Sequence, residues 1–260
     1  MDGAASLYIF SFFSPCKVTA VASGFSKSLA AFTRNPLAFV WASFIYLVML
    51  AVFICAAVGI FIIYFIGASV LNQPILNPGP TVPTIILGIF IGVLLLFSMS
   101  GLNGALARSY REAMNGRKTS MAAFFATALS CARGVFVIQL IRDIIWLVLV
   151  GPALAIFVLY FSNTEYMDII IGTYAFFMTF VIHLIFTPAL VAFGVGIETK
   201  VVGAFKRIPR TLRANPILFV GTYILFAFVW LLNFVPVIDF FTVFAVFPIL
   251  YTALIATIES

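Results

Sequence analysis

Hydrophobic and polar positions along this chain follow one order that recurs three times. A basic amphipathic stretch leads to a helix-breaking step, a long apolar run, a turn and a second apolar run. The amphipathic stretches are 17–34, 117–133 and 200–213. Phe25, Phe124 and Phe205 each precede a breaker by the same interval: Asn35-Pro36, Gly134 and Asn215-Pro216. Further on, Phe97, Phe186 and Phe247 each precede a polar or proline-containing step, at Ser98, Thr187-Pro188 and Pro248. Self-similarity of this kind sets an architecture before any local assignment is made. It implies three copies of one two-span unit, over 17–116, 117–196 and 197–260, behind a short helical or interfacial lead-in at 1–16.

The apolar runs are 37–66, 85–106, 135–161, 169–195, 217–235 and 237–258. Runs of about 20 apolar residues match the hydrocarbon thickness of a bilayer. Backbone groups in lipid must be satisfied within the segment, so these runs are expected to be helices. The strict alternation of a membrane barrel is absent. Asn233, Pro236 and Asp239 are the only punctuation between the last two runs, which implies a very tight turn. Composition agrees. The 260 residues are 64% hydrophobic and 8% charged, whereas soluble domains carry about 25% charged residues. The expected fold is therefore an all-α integral membrane bundle of six transmembrane helices. They form three parallel two-span repeats, each preceded by a cytoplasmic amphipathic helix.

Charge orients the bundle. Of the 14 basic residues, all but Arg142 fall before the first run, between the second and third, or between the fourth and fifth. The positive-inside rule makes that side cytoplasmic, with both termini, in a plasma membrane. Asp2 precedes the apolar stretch at 7–13 and no basic region leads it, so this does not read as a cleaved signal peptide. Three cysteines, Cys16, Cys55 and Cys131, exclude a disulfide scaffold and read as apolar filler.

Within the amphipathic stretches, Val21, Phe25, Leu29 and Phe32, and later Val201, Phe205, Ile208 and Leu212, recur at spacings of three and four. Cationic helices with an aromatic stripe lie in the plane of the interface. Lys27, Arg34, Arg117, Lys118, Arg133, Lys200, Lys206, Arg207, Arg210 and Arg213 are accordingly the candidate contacts to anionic lipid. The alternative is that they serve as topology signal and anchor alone. Thr119 or Ser120 is placed to cap the second stretch, and Pro209 suggests a kink in the third.

Ionisable residues inside a span are functional candidates by default. Arg142, Asp143 and His183 form the candidate intramembrane polar site. The first two are adjacent and do not face each other on a helix, so they are expected to pair with other segments. His183 suits either a satisfied core position or a proton or substrate contact. Asn103, Gln139 and Asn233 could join helices by hydrogen bonds. Gly88, Gly92, Gly101, Gly104, Gly194 and Gly196 permit close helix approach, and Pro152, Pro188 and Pro248 could bend their spans. No spacing supports a metal site, a nucleotide loop or a catalytic triad, so no enzyme activity, cofactor or nucleic-acid partner is expected.

The segment Phe186-Thr187-Pro188-Ala189-Leu190-Val191, with Glu198, Gly203-Ala204-Phe205 and Arg213-Ala214-Asn215-Pro216, resembles the multipass membrane domain found beside glycerophosphoryl diester phosphodiesterases and in YciC-type proteins. The resemblance covers 186–216 and implies a membrane-embedded accessory or lipid-associated role. The phosphodiesterase domain has no counterpart, and its activity is not implied. Three two-span repeats also occur in mitochondrial carriers, but their proline–acid–basic signature is missing. The leading expectation is a non-enzymatic structural or lipid-interacting membrane protein that assembles as a homo-oligomer. The second is a small-solute or ion transporter or channel with a pseudo-threefold pathway.

Overall fold

The computed structural model describes residues 15–70, 82–160, 167–214, 216–232 and 242–259. Every regular element among them is helical. In chain order these are α1 (Pro15–Arg34), α2 (Pro36–Val70), α3 (Val82–Met114), α4 (Met121–Tyr160), α5 (Met167–Gly194), α6 (Val201–Ala214), α7 (Pro216–Leu232) and α8 (Phe247–Glu259). A single π turn, Thr242–Val246, leads into α8. Four stretches are long and apolar enough to cross a membrane: Pro36–Tyr64, Thr84–Met114, Met121–Phe157 and Ile169–Gly194. The last two expected spans correspond to α7 and to a shorter apolar stretch, Phe244–Glu259. The tight turn expected between them, and the proline-rich loop at 73–84 for all but its last residues, lie outside the described residues.

The helix ends follow local chemistry. Asn35 closes α1 by donating its N–H to Ala31 and Phe32, and its carbonyl accepts from Ala38 to begin α2. Pro36 and Pro216 each stand first in a helix, where the missing N–H costs nothing. Gly116 and Gly196 have φ of +77° and +81°. Around them, Arg117 N donates to Glu112 O and Ile197 N donates to Ala192 O, while each glycine N–H reaches back three residues. This is the Schellman stop, and glycine pays no Cβ penalty in it. Ser120 caps α4, its Oγ accepting the Ala123 N–H at 3.2 Å.

Gly134 does not break a helix. α4 runs unbroken through it for 40 residues, about 60 Å at 1.5 Å per residue. The second amphipathic stretch and the third apolar run are thus one rod. A lone glycine weakens a helix by only about 1 kcal/mol. Gly134 also has a packing role, because the Phe193 ring occupies the place where a Cβ would project. α6 likewise continues through Pro209, and α4 and α5 through Pro152 and Pro188.

The larger core cluster lies at the end of the bundle where α1 meets α2. It unites Phe39, Ala42 and Ile45 of α2, Leu102 and Tyr110 of α3, Phe124 of α4, Val191 of α5 and Ile255 of α8. Glycine makes this approach possible. A Cβ on Gly101 would meet the Ala128 carbonyl oxygen at 2.7 Å, and one on Gly104 would meet Cys131 Sγ at 2.5 Å. A Cβ on Gly194 would stand 3.1 Å from the Gly104 Cα. Gly88 and Gly92 have nothing within 4 Å of that position, so they do not mediate close contact.

Helices α3, α5 and α8 touch one another pairwise, and α2, α4 and α7 pack outside them against α3, α5 and α8 respectively. α1 lies on α8, the first part of α4 on α3, and α6 on α5. Farther along α2 and α3 the side chains turn outward: Ile62, Ile63, Ile66, Ile86, Ile89 and Phe90 are all exposed. Exposed apolar rods of this length fit a membrane protein, whose outer surface meets lipid rather than water.

Candidate functional site: a cavity of polar and apolar side chains within the bundle

Several polar residues of the apolar runs gather around one cavity of about 360 Å³. It is lined by Ser43 and Tyr46 of α2, Asn103 and Tyr110 of α3, Gln139 and Arg142 of α4, His183 and Thr187 of α5, Tyr223 of α7 and Tyr251 of α8. Apolar side chains, Leu47, Leu106, Leu190, Leu254 and Phe247 among them, form much of the remaining wall. Apart from Tyr110, which lies nearer the end of α3, the polar positions on α2, α3, α5, α7 and α8 stand roughly seven to eleven residues from the core end of each helix, about 10–16 Å at 1.5 Å per residue. A chamber of this size suits a small molecule.

Its wall is organised by hydrogen bonds. Ser43 and the Tyr110 hydroxyl are 2.7 Å apart, and the Tyr46 hydroxyl donates to Asn103 Oδ1 at 3.1 Å. On α5, Thr179, His183 and Thr187 fall four residues apart and therefore on one face. Thr187 Oγ1 donates to the His183 carbonyl at 2.7 Å, and the Tyr223 hydroxyl bonds to Thr187. His183 Nδ1 lies 2.8 Å from the Thr179 carbonyl. A carbonyl only accepts, so Nδ1 carries the proton and the neutral ring offers Nε2 as an acceptor. Ser100 Oγ touches both the Leu96 carbonyl and Gln139 Oε1. One hydroxyl hydrogen cannot serve both acceptors. With the carbonyl taking it, the Gln139 amide satisfies Ser100 by presenting its NH₂ instead.

Arg142 and Asp143 pair with each other rather than with other segments. Arg142 Nε donates to Asp143 Oδ1 at 2.9 Å, and Nη2 lies 2.7 Å from the same oxygen. The long arginine stem reaches round the helix to a neighbour that the Cβ directions alone would keep apart. The two side chains have different surroundings: that of Arg142 is 15% exposed and that of Asp143 is 42% exposed. Arg142 and His183 line the chamber, and Asp143 holds Arg142 from outside its wall. The sequence singled out Arg142 and His183. It did not single out Ser43, Tyr46, Tyr110, Tyr223 and Tyr251, because a tyrosine in an apolar run looks like interfacial or core filling until its neighbours are known.

The candidate lipid-facing cations separate into two groups. Lys27, Arg34, Arg117, Lys118, Arg133, Lys200, Lys206, Arg210 and Arg213 are exposed. Arg207 is half-buried and bonded through Nε to Glu198 Oε1 at 2.8 Å. Glu198 folds back over the start of α6, where the absence of a side chain at Gly203 leaves it room. α6 seats Ala204, Phe205 and Ile208 on α5, with Phe186 and Phe205 edge to face at 5.8 Å. That leaves Lys206, Arg210 and Arg213 along the opposite face, where they border a shallow surface groove. On α1 the apolar stripe divides: Ala31 and Phe32 pack on the core, Ser28 is buried, and Phe25 and Leu29 face outward. Among the described residues no three histidine, cysteine or carboxylate side chains cluster as metal ligands would.

No family model, curated protein or solved structure matches this chain.

Proposed function

We propose that this chain is a non-enzymatic polytopic membrane protein whose chamber binds a small solute and serves its passage across the membrane. The observation that carries this reading is the convergence of polar groups from α2, α3, α4, α5, α7 and α8 on one cavity within otherwise apolar helices. Polar side chains in a bilayer are costly and are kept where they line a cavity or pathway. Of the two readings the sequence offers, the pathway is favoured over a purely structural body.

Three two-span repeats would build such a chamber. In this reading α2–α3, α4–α5 and α7–α8 are the hairpins, with α3, α5 and α8 innermost. Their mutual contacts support the arrangement, as does the seating of α1, the start of α4, and α6 on α8, α3 and α5 in cyclic order. The matching glycine stops at Gly116 and Gly196 support repeat boundaries at those positions. Six spans with the basic ends cytoplasmic, both termini included, follow from the positive-inside rule. The resemblance of 186–216 to the phosphodiesterase-associated membrane domain accords with a membrane-embedded role.

Single cysteines in a background lacking Cys16, Cys55 and Cys131 test the chamber. Thr187→Cys and Asn103→Cys are expected to react with a membrane-impermeant thiol reagent, whereas Phe177→Cys on the lipid-facing side of α5 stays unmodified. Protection at both chamber positions sinks the reading.

Lipid interaction stands as a second reading, favoured by the groove beside Lys206, Arg210 and Arg213. A Lys or Arg near an anionic surface contributes about 1 kcal/mol. Homo-oligomeric assembly belongs to this second reading, and native mass spectrometry from nanodiscs tests it.

A further inference from the structure

We propose that the chamber selects a small amphiphilic organic anion, a carboxylate on an apolar body, with the Arg142 guanidinium as its anchor. The inference rests on the chamber reading above and names its ligand class.

Among the described residues Arg142 is the only formally charged side chain that lines the cavity, and no carboxylate does. Asp143 occupies the Nε and Nη2 edge of the guanidinium through one oxygen. A guanidinium has five N–H donors. Among the described residues Nη1 makes no hydrogen bond, so donors remain after the ion pair is formed. The Asn103 amide gives its oxygen to Tyr46, which leaves its NH₂ as a further donor.

The rest of the wall sets the other half of the ligand. Tyr46, Tyr110, Tyr223, Tyr251 and Phe247 present aromatic surface, and Leu47 and Leu254 present aliphatic surface. Tyr110 and Tyr251 meet edge to face at 5.7 Å, which gives that part of the wall a firm shape. An inorganic anion would leave this apolar surface unfilled, and an organic cation would meet the Arg142 guanidinium on the cavity side, where no carboxylate lies among the described lining residues. A carboxylate on a ring or short acyl chain satisfies both: charge-assisted hydrogen bonds at one end and apolar burial along the body.

The test uses the full chain in zwitterionic nanodiscs, with binding read by calorimetry for benzoate, its neutral isostere benzamide, and benzylamine. Benzoate is expected to bind at least tenfold more tightly than the other two. Octanoate in parallel distinguishes a lipid-derived acyl carboxylate from a compact aromatic acid. Arg142→Gln is expected to abolish the preference. Should that variant fail to fold, Asp143→Asn carries the test: it frees the guanidinium edge and is expected to tighten benzoate binding several-fold. Equal affinity for benzoate and benzamide, an Asp143→Asn variant that binds no more tightly, or no binding of either carboxylate overturns the proposal. Reactive cysteines at Asn103 and Thr187 would in that event still leave the chamber reading standing, which separates the two failures.

Discussion

Gly104 stands at the closest meeting of three helices, between Cys131 of α4 and Gly194 of α5. Adding bulk there forces α3 away from both, and overpacking of this kind costs about 1–3 kcal/mol. Gly104→Val is therefore expected to lower the thermal midpoint in mild detergent, while Gly88→Ala, in open space, leaves it unchanged. The Ser43–Tyr110 pair is a second residue-scale test. Either Ser43→Ala or Tyr110→Phe leaves a buried polar partner behind, at a cost of about 1 kcal/mol. The double variant is expected to cost less than the sum of the singles, as a cycle of unfolding midpoints shows. The sequence offered six glycines as sites of close approach. Only contact geometry separates Gly101, Gly104 and Gly194 from Gly88 and Gly92, because a glycine in an apolar run reads the same whether it faces a helix or lipid.

Breakers are where elements proved easiest and hardest to read. Asn35-Pro36 and Pro216 delimit helices as their chemistry requires, since proline cannot donate within a helix but suits its first position. Gly134 looked equivalent in the repeat and is not, because a glycine permits a break without enforcing one. Its local signal was overridden by packing beneath Phe193. The caps give a clear prediction at this scale. Gly116→Ala and Gly196→Ala place a Cβ in the left-handed region, a strain of about 1–2 kcal/mol. Both are expected to destabilise in thermal unfolding, whereas Gly172→Ala within α5 meets no atom and is expected to be neutral or stabilising. For α6, the basic pattern was legible but the commitment of Arg207 to Glu198 was not, because it depends on how the turn after Gly196 folds back. Glu198→Gln is expected to release Arg207 and strengthen cosedimentation with phosphatidylglycerol vesicles. Unchanged binding would show that Arg207 has no access to the lipid surface.

For the whole molecule, composition made an all-helical, membrane-suited chain legible, and the apolar runs located its four longest crossings. What the runs could not show is that polar residues scattered from Ser43 to Tyr251 meet in one place. Each is isolated in sequence, and only the contacts of α3, α5 and α8 bring them together. Orientation carries its own test: Lys118→Cys and Lys200→Cys are expected to label only from the cytoplasmic side, whereas labelling from outside would invert the topology. The proposed function requires that the cavity hold solvent or solute within the membrane. A cryo-electron microscopy map of the full chain in lipid nanodiscs tests it most directly. The expected map shows α3, α5 and α8 in mutual contact, with water or solute density bounded by Arg142, His183, Asn103 and Tyr223. Side chains packed through that volume, or Arg142 and His183 turned outward to lipid, would contradict it.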